Sequence, residues 1–230
     1  MKLSIIIPVY NEKETILKII EKVNNVPLEK ELIVVDDGST DGTEDILKNI
    51  QNKRLNIQNL KIIFKEKNEG KGSAISRGLK EITGDIVVIQ DADMEYEPMD
   101  FMSLVKPIEE GSTKVVYGSR FLGKGSKSSL MFYLGGRLLS FMVSVLYGEK
   151  ITDEPTCYKV FKAEVIKSIS LRCTRFEFCP EITAKVIKKG YKIIELPIRY
   201  NPRNIKEGKK IRLKDGISAV WTLLKYRFVD

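Results

Sequence analysis

The stretch IQDADMEYEP, residues 89–98, sets three carboxylates within five positions directly behind an apolar run: Asp91, Asp93 and Glu95. Their alternation puts them on one face of an extended chain. Carboxylates crowded at the end of a buried strand repel one another and lose hydration, so the group demands positive charge. A hard divalent cation meets that demand, because carboxylate oxygens are the ligands Mg²⁺ and Mn²⁺ prefer. Asp-x-Asp offers two such oxygens to one ion, whose other sites go to water and a diphosphate. The ion then neutralises charge that builds on a leaving nucleotide. Exposed turn acids are the plain alternative for so short a pattern. The four-residue apolar strand in front of it favours the metal reading.

What must position these acids is an alternation of strands and helices. LSIIIPV, ELIVVDD, KIIFK, DIVVIQD and KVVYGS read as strands. Between them, NEKETILKIIEKV carries Ile16, Ile19, Ile20 and Val23 at helical spacing, with Asn11 and Glu14 as a capping box. Asp41 and Glu44 repeat that spacing before Ile46, Leu47 and Ile50; the helix after Gly72 aligns Ala74, Ile75, Gly78, Leu79 and Ile82; a further helix is predicted around Phe101 to Ile108. Strands separated by helices make a parallel, doubly wound sheet, whose ligands bind at the strands' carboxyl ends. Asp36–Asp37 and Asp91–Asp93–Glu95 both fall there.

Composition narrows the chemistry. The 230 residues are 43% hydrophobic and 30% charged, as expected of a soluble globular chain, and suffice for one large domain or two small ones. Histidine is absent and the three cysteines show no C-x-x-C spacing, which argues against zinc and haem and for a reduced, cytoplasmic setting. The N-terminal KLSIIIPVYN reads as a strand rather than a signal peptide. No G-x-G-x-x-G opens the first helix, and EGKGSA lacks Walker A spacing.

The second half differs. Residues 129–148, SLMFYLGGRLLSFMVSVLYG, are long and apolar enough for a membrane span, but Arg137 sits at the middle, at a cost of roughly 2.5–3.5 kcal/mol on insertion scales. A pair of interfacial or groove-lining helices fits better, with an ordinary buried helix as the alternative. The C-terminal DGISAVWTLLKYRF sets Trp221, Tyr226 and Phe228 beside Lys225 and Arg227, a mixture suited to a membrane interface or to packing on the sheet. The net charge is +8, and residues 199–214 hold seven basic side chains against one acid, Glu207. Such a block attracts phosphates, nucleic acid or an anionic membrane, or is a solvated face.

IIIPVYNE, VVDDGSTDGT, NEGKGSAISRGL, QDADME and YGSRF, in this order over residues 3 to 121, resemble family 2 glycosyltransferases of GT-A fold. ITDEPTCYKVFKAEVI and FEFCPEI resemble the dolichol-phosphate mannose synthase-like group of that family, which transfers a sugar to a polyprenyl phosphate. The resemblance implies an α/β GT-A domain over residues 1–230: a Rossmann-like sheet with an acceptor-side region of helices and short strands. Residues 1–121 would form the nucleotide-sugar half and 122–230 the acceptor and membrane-facing half. It implies an inverting hexosyltransferase that uses Mg²⁺ or Mn²⁺ and a GDP- or UDP-sugar. Its acceptor would be a dolichyl or undecaprenyl phosphate, its setting the cytoplasmic face of a membrane, with no nucleic-acid partner.

The same resemblance places Pro8, Tyr10, Glu12 and Val35 around the nucleoside, with Glu12 on the ribose and Asp37 on the base edge. Lys71 is assigned to the diphosphate. Asp91, Ala92 and Asp93 are assigned to the sugar nucleotide, Asp93 and Glu95 to the metal, and Arg120 to donor or acceptor phosphates. Arg137, Ser140, Asp153, Arg203, Lys209 and Lys210 are assigned to the acceptor side. Three departures stand out: Glu95 replaces a common Gln; Arg137 and Ser140 are three apart where the group often has Arg and Ser four apart; and RNIKEGKK matches the basic Arg-x-x-Gly-x-Ser-Lys element only loosely.

Two rival readings remain. A hydroxyl acceptor, in glycan or polysaccharide synthesis, needs a general base, for which Asp153, Glu177 and Glu181 are the candidates. A phosphate monoester needs none, having a second pKa near about 6. A non-catalytic membrane-surface adaptor would use the basic block and the Trp221 helix equally, but has no use for Asp-x-Asp.

Overall fold

The computed structural model describes residues 1–52, 57, 59–123, 129–203 and 210–229. The described elements run β1 (Leu3–Val9), α1 (Ile16–Asn24), β2 (Lys30–Asp36), α2 (Thr43–Asn52), β3 (Leu60–Phe64), α3 (Lys71–Leu79) and β4 (Ile86–Ile89). After a single 3₁₀ turn come α4 (Phe101–Leu104), α5 (Lys106–Glu109), β5 (Val115–Ser119), α6 (Leu130–Tyr147), β6 (Lys159–Lys162) and α7 (Ala163–Lys167). The chain continues with α8 (Phe178–Lys188), β7 (Ile193–Pro197) and α9 (Leu213–Phe228).

One seven-stranded sheet has the order β3-β2-β1-β4-β6-β5-β7. β1, β2, β3 and β4 pair in parallel, and β6 lies antiparallel to both β4 and β5. Every residue of β1 and β4 is buried, as for strands covered on both faces. β4 pairs with β1 only as far as Ile6, so Pro8, which has no N–H to donate, lies past the end of that ladder. Strand order reverses at β1, and the crevice between the carboxyl ends of β1 and β4 is the expected ligand position. The site therefore lies where Pro8–Glu12 and Asp91–Glu95 emerge.

Three local expectations change. The first helix begins at Ile16, not Asn11, because Asn11 adopts φ +50° and its side chain accepts the Thr40 amide at 2.8 Å. The predicted helix around Phe101 to Ile108 divides at Val105, since Pro107 has no N–H to carry the ladder through. The apolar stretch of the second half forms one helix, α6, rather than a pair; Gly136 lets it approach Phe121 and Pro155. Asp41 does cap α2, accepting the Thr43 amide at 3.0 Å.

Helices α6 and α9 pack together, with the Tyr147 hydroxyl donating to the Leu223 carbonyl at 2.6 Å. Each buries one stripe (Leu139, Ser140 and Val143; Ala219, Thr222 and Leu223). Each also exposes a second apolar stripe at 4-3-4 spacing: Leu134, Leu138, Phe141 and Val145 on α6, and Ile217, Trp221, Leu224 and Phe228 on α9. By length and composition α6 is the one helix among the described residues suited to crossing a membrane.

Candidate active site

The acids after β4 do not continue as a strand. Residues 91–95 turn, with Asp93 Oδ1 accepting the Glu95 amide at 3.0 Å, and the turn delivers Asp91, Asp93 and Glu95 to one cavity. Positive charge arrives from distant segments. Lys71, the first residue of α3, donates to Asp91 Oδ1 at 2.5 Å. Arg203 reaches Asp93 Oδ2 at 2.7 Å and Glu12 at 3.1 and 3.2 Å. Lys210 donates to Glu12 Oε1 at 2.7 Å and to the Tyr10 and Asn11 carbonyls. Burial opposes ionisation of Asp91, but Lys71 outweighs it and holds the carboxyl below its ordinary range. Asp93 is pushed up to about 7, first by burial and then by Asp91 and Glu95, with Arg203 pulling the other way. The cluster is short of positive charge even with Arg203 inside it.

That shortage, and the oxygen-only donor set, fit a hard cation at Asp91 and Asp93. Glu95 fits less well. Its Oε2 accepts from the Tyr200 hydroxyl at 2.7 Å and its Oε1 from the Arg203 amide at 2.8 Å, so it fastens the segment that carries Arg203. Among the described residues no three Asp, Glu or Cys side chains are assembled as a metal site, so a cation held by Asp91 and Asp93 would need further oxygens from outside the protein.

Pro8, Tyr10, Glu12, Asp37, Lys71, Ala92 and Arg120 all line the same cavity, of about 760 Å³, within the range of small-molecule sites. Val35, expected beside the nucleoside, is fully buried in β2 against Gly78 and is sheet core. With both faces of the sheet covered, no inward–outward alternation along the strand separates core from ligand-facing residues. Asp37 lines the cavity, but its carboxylate already accepts from Lys65 and from the Glu69 and Gly70 amides, bracing the turn into α3. The amides of Gly72 and Ser73 in the first turn of α3 bond the Arg175 and Thr174 carbonyls, so this helix end is already capped.

Arg120 lines the cavity in the grip of Asp153, which accepts from its backbone amide (2.8 Å), Nε (2.8 Å) and Nη2 (2.7 Å). Asp153 is fully buried and reaches the site only through Arg120. Ser140 is buried as well; its hydroxyl donates to the Gly136 and Thr152 carbonyls and accepts the Glu154 amide, so it clamps a loop rather than facing a phosphate. Arg137 stacks over Phe121, 5.6 Å from the ring centroid, and contacts the Thr152 carbonyl at 3.4 Å. Lys209 lies outside the described residues. The candidate bases are committed too. Glu181 accepts the Arg172 and Cys173 amides and pairs with Lys185, and Glu177 accepts the Arg175 amide.

Several lining residues escaped the sequence reading: Leu139 of α6, Arg175 and Phe176 of the loop before α8, and Lys214, Asp215 and Ala219 of α9. Phe176 opens FEFCPEI and Lys214 closes the basic block, but neither was assigned to the site; only adjacency to those segments pointed toward Arg175 and Asp215. Cys157 and Cys179 line the cavity as well, with burial pushing both thiols up and keeping them protonated. Glu154 is fully buried, its carboxyl oxygens making no hydrogen bond; Lys159 and Thr183 are near it, and burial raises its pKa.

The chain is 33% identical over 238 residues to UDP-N-acetylglucosamine--dolichyl-phosphate N-acetylglucosaminyltransferase of Methanococcus voltae, covering 96% of this chain and 94% of that one. It is 30% identical over 215 residues to dolichol-phosphate mannosyltransferase of Pyrococcus furiosus, and 29% identical over 213 residues to undecaprenyl-phosphate 4-deoxy-4-formamido-L-arabinose transferase of Photorhabdus laumondii. Those matches cover 91% and 90% of this chain but only 59% and 62% of the two relatives' lengths. In fold, the chain resembles glucosyl-3-phosphoglycerate synthase from Mycobacterium tuberculosis, solved with Mn²⁺, UDP and glucosyl-3-phosphoglycerate. The TM-score is 0.75 at 20% identity, covering 100% of this chain and 81% of that one. Residues 4–170, most of the chain, match the profile of Glycosyl transferase family 2, and the chain belongs to that family.

Proposed function

We propose that this protein transfers a sugar from a nucleoside diphosphate to a polyprenyl phosphate at a membrane surface, with inversion at the anomeric carbon. The observation that carries the reading is the course of the cavity. It runs from Pro8 and Asp37 past the acids after β4 to Leu139 of α6 and Ala219 of α9, and that helix pair exposes two further apolar stripes. A lipid whose phosphate enters the cavity can keep its chain along these helices. The exposed Arg137, Lys214, Lys225 and Arg227 suit an anionic headgroup layer. Residues 1–121 serve the donor in this reading, and 122–230 the acceptor and the membrane.

The commitments of the acidic side chains support a phosphate nucleophile. Asp153, Glu177 and Glu181 each hold framework groups, which leaves none of them placed to take a proton from a hydroxyl. A lipid phosphate is largely dianionic above its second pKa of about 6 and attacks without a base. The burden on the protein is positioning and charge stabilisation, to which Arg120 and Lys71 contribute. A Mg²⁺ or Mn²⁺ ion held by Asp91 and Asp93 would neutralise charge on the departing diphosphate.

For the donor, the Methanococcus relative's UDP-N-acetylglucosamine and the UDP in the mycobacterial structure favour a UDP-sugar over a GDP-sugar. The test is a transfer assay with UDP- and GDP-sugars against dolichyl and undecaprenyl phosphates. Product with a polyprenyl phosphate and a UDP-sugar is expected. No transfer to any polyprenyl phosphate, with turnover on a sugar hydroxyl, would overturn the reading.

A further inference from the structure

Arg120 owes its place to a chain of contacts that begins outside the cavity. Asp153 holds it, and Asp153 belongs to the loop between α6 and β6, whose backbone amides and carbonyls need partners because the loop is buried against the sheet. Four elements supply them. From α6, Ser140 bonds the Thr152 carbonyl and the Glu154 amide. From β6, the buried Lys159 ammonium donates to the Glu154 and Thr156 carbonyls. From β5, the Gly118 amide donates to the Tyr158 carbonyl at 2.8 Å. From β7, Glu195 accepts the Thr152 amide at 2.6 Å and the Asp153 amide at 2.9 Å.

The Glu195 contact differs from the others in where it acts. It engages the amide of Asp153 itself and of the residue before it, so it sets the position of the carboxylate that takes three N–H groups of Arg120. Each of the two Glu195 oxygens takes one of these amides, although burial raises the carboxyl's pKa above its ordinary range. Nε and Nη2 of Arg120 are spent on Asp153, and the guanidinium lies 5.1 Å from the Tyr200 ring centroid. Nη1 is left without a protein acceptor among the described residues, and it belongs to a side chain that lines the cavity.

We propose that Glu195 is a positioning residue for the transfer step, acting through Asp153 to aim Arg120 at phosphate in the cavity. The inference rests on the reading of Arg120 as a phosphate-facing group. Glu195 itself does not line the cavity and touches no substrate. A carboxylate is required because two amides converge on its two oxygens; an amide side chain has one acceptor oxygen and turns an NH₂ toward the second amide.

The experiment compares wild type with Glu195→Gln by two measurements. The first is solvent exchange of the Arg120 Nε–H, followed by ¹⁵N-arginine NMR on the full chain without ligands. The second is steady-state kinetics of transfer. The expected result is faster Nε–H exchange by about tenfold or more and a kcat lower by about 10- to 100-fold, the scale of an ångström-sized misplacement, with donor KM changed by less than about threefold. Unchanged Nε–H exchange overturns the proposal, as does a released Arg120 with unchanged kcat. Should Glu195→Gln not accumulate folded, Glu195→Asp keeps the charge but retracts it by one methylene and serves the same comparison. If the wild-type protein transfers to no polyprenyl phosphate, the proposed function fails, while the exchange measurement still decides whether Glu195 holds Arg120.

Discussion

Replacing Arg203 by Gln exposes how the acidic cluster is balanced. The guanidinium lies 2.7 Å from Asp93, 3.1 Å from Glu12 and 3.8 Å from Glu95, with only 18% of its side chain exposed. At an effective dielectric of about 20, each close pair attracts by about 4 kcal/mol, against which stands the desolvation of the guanidinium. Removing one partner from such a group leaves buried charge uncompensated and costs about 3–5 kcal/mol. The lower end applies here, because Asp93 already holds its proton up to about pH 7 and can keep it longer. A loss of about 3 kcal/mol lowers the melting temperature of a chain this size by about 6–12 °C. Added Mn²⁺ then restores more stability to the variant than to wild type, since in wild type the ion competes with the protein's own cation. The same energy corresponds to Mn²⁺ binding tighter by about 100-fold. Thermal melts at pH 8 across a Mn²⁺ titration measure both effects. A variant that melts within about 2 °C of wild type without metal, and binds Mn²⁺ no more tightly, would refute the account of Arg203 as internal counter-ion.

Four further outcomes are expected. Gly70→Ala forces a Cβ to within 2.5 Å of the Thr174 carbonyl oxygen at φ +104°, so it should lower stability by about 2 kcal/mol or more and weaken UDP binding, both readable in melts with and without UDP. Glu31, at the far edge of the sheet, is held down to about 2 because hydrogen bonds from Ser4, Thr83 and Lys2 outweigh burial. With a folded pKa below the unfolded value near 4.5, its contribution is present above pH 4.5 and fades as pH falls toward 2; Glu31→Gln should flatten acid denaturation over that window. Glu154→Gln should retain transfer to a lipid phosphate, since a phosphate nucleophile needs no base; loss of turnover selective for a hydroxyl acceptor would favour the rival chemistry, because Glu154 lines the cavity. Phe141→Ser with Trp221→Ser should abolish flotation with anionic liposomes while UDP still raises the melting temperature, and retained flotation would exclude these helices as the membrane face.

Much of residues 1–121 was legible in the sequence. Short apolar runs alternating with stretches of 3.6-residue periodicity identify β1 to β5 and the helices between them, because the strands are buried on both faces and each helix buries one stripe against the sheet. The carboxyl-end rule then locates Asp37 and the acids after β4 at the crevice. Local detail failed where a side chain or proline overrode periodicity, as at Asn11 and Pro107. Val35 was misassigned because a strand buried on both faces carries no alternation to separate core from site.

By itself, the sequence determined the family, the sheet and the edge at which carboxylates gather, all of which follow from spacing within some ten residues. Only the tertiary structure decided what answers those carboxylates. Arg203 meets Asp93 across 110 positions, Lys71 meets Asp91 across 20, and Glu195 reaches the loop of Asp153 from the edge strand β7. The same packing turned part of the basic block toward the site: Arg203 enters the acid cluster and the Lys210 ammonium pairs with Glu12, while Arg199, paired with Asp100, stays exposed. A run of like charge records composition but not direction. Direction depends on where β7 docks beside β5 and how the chain then crosses the carboxyl edge, and no local pattern encodes that course.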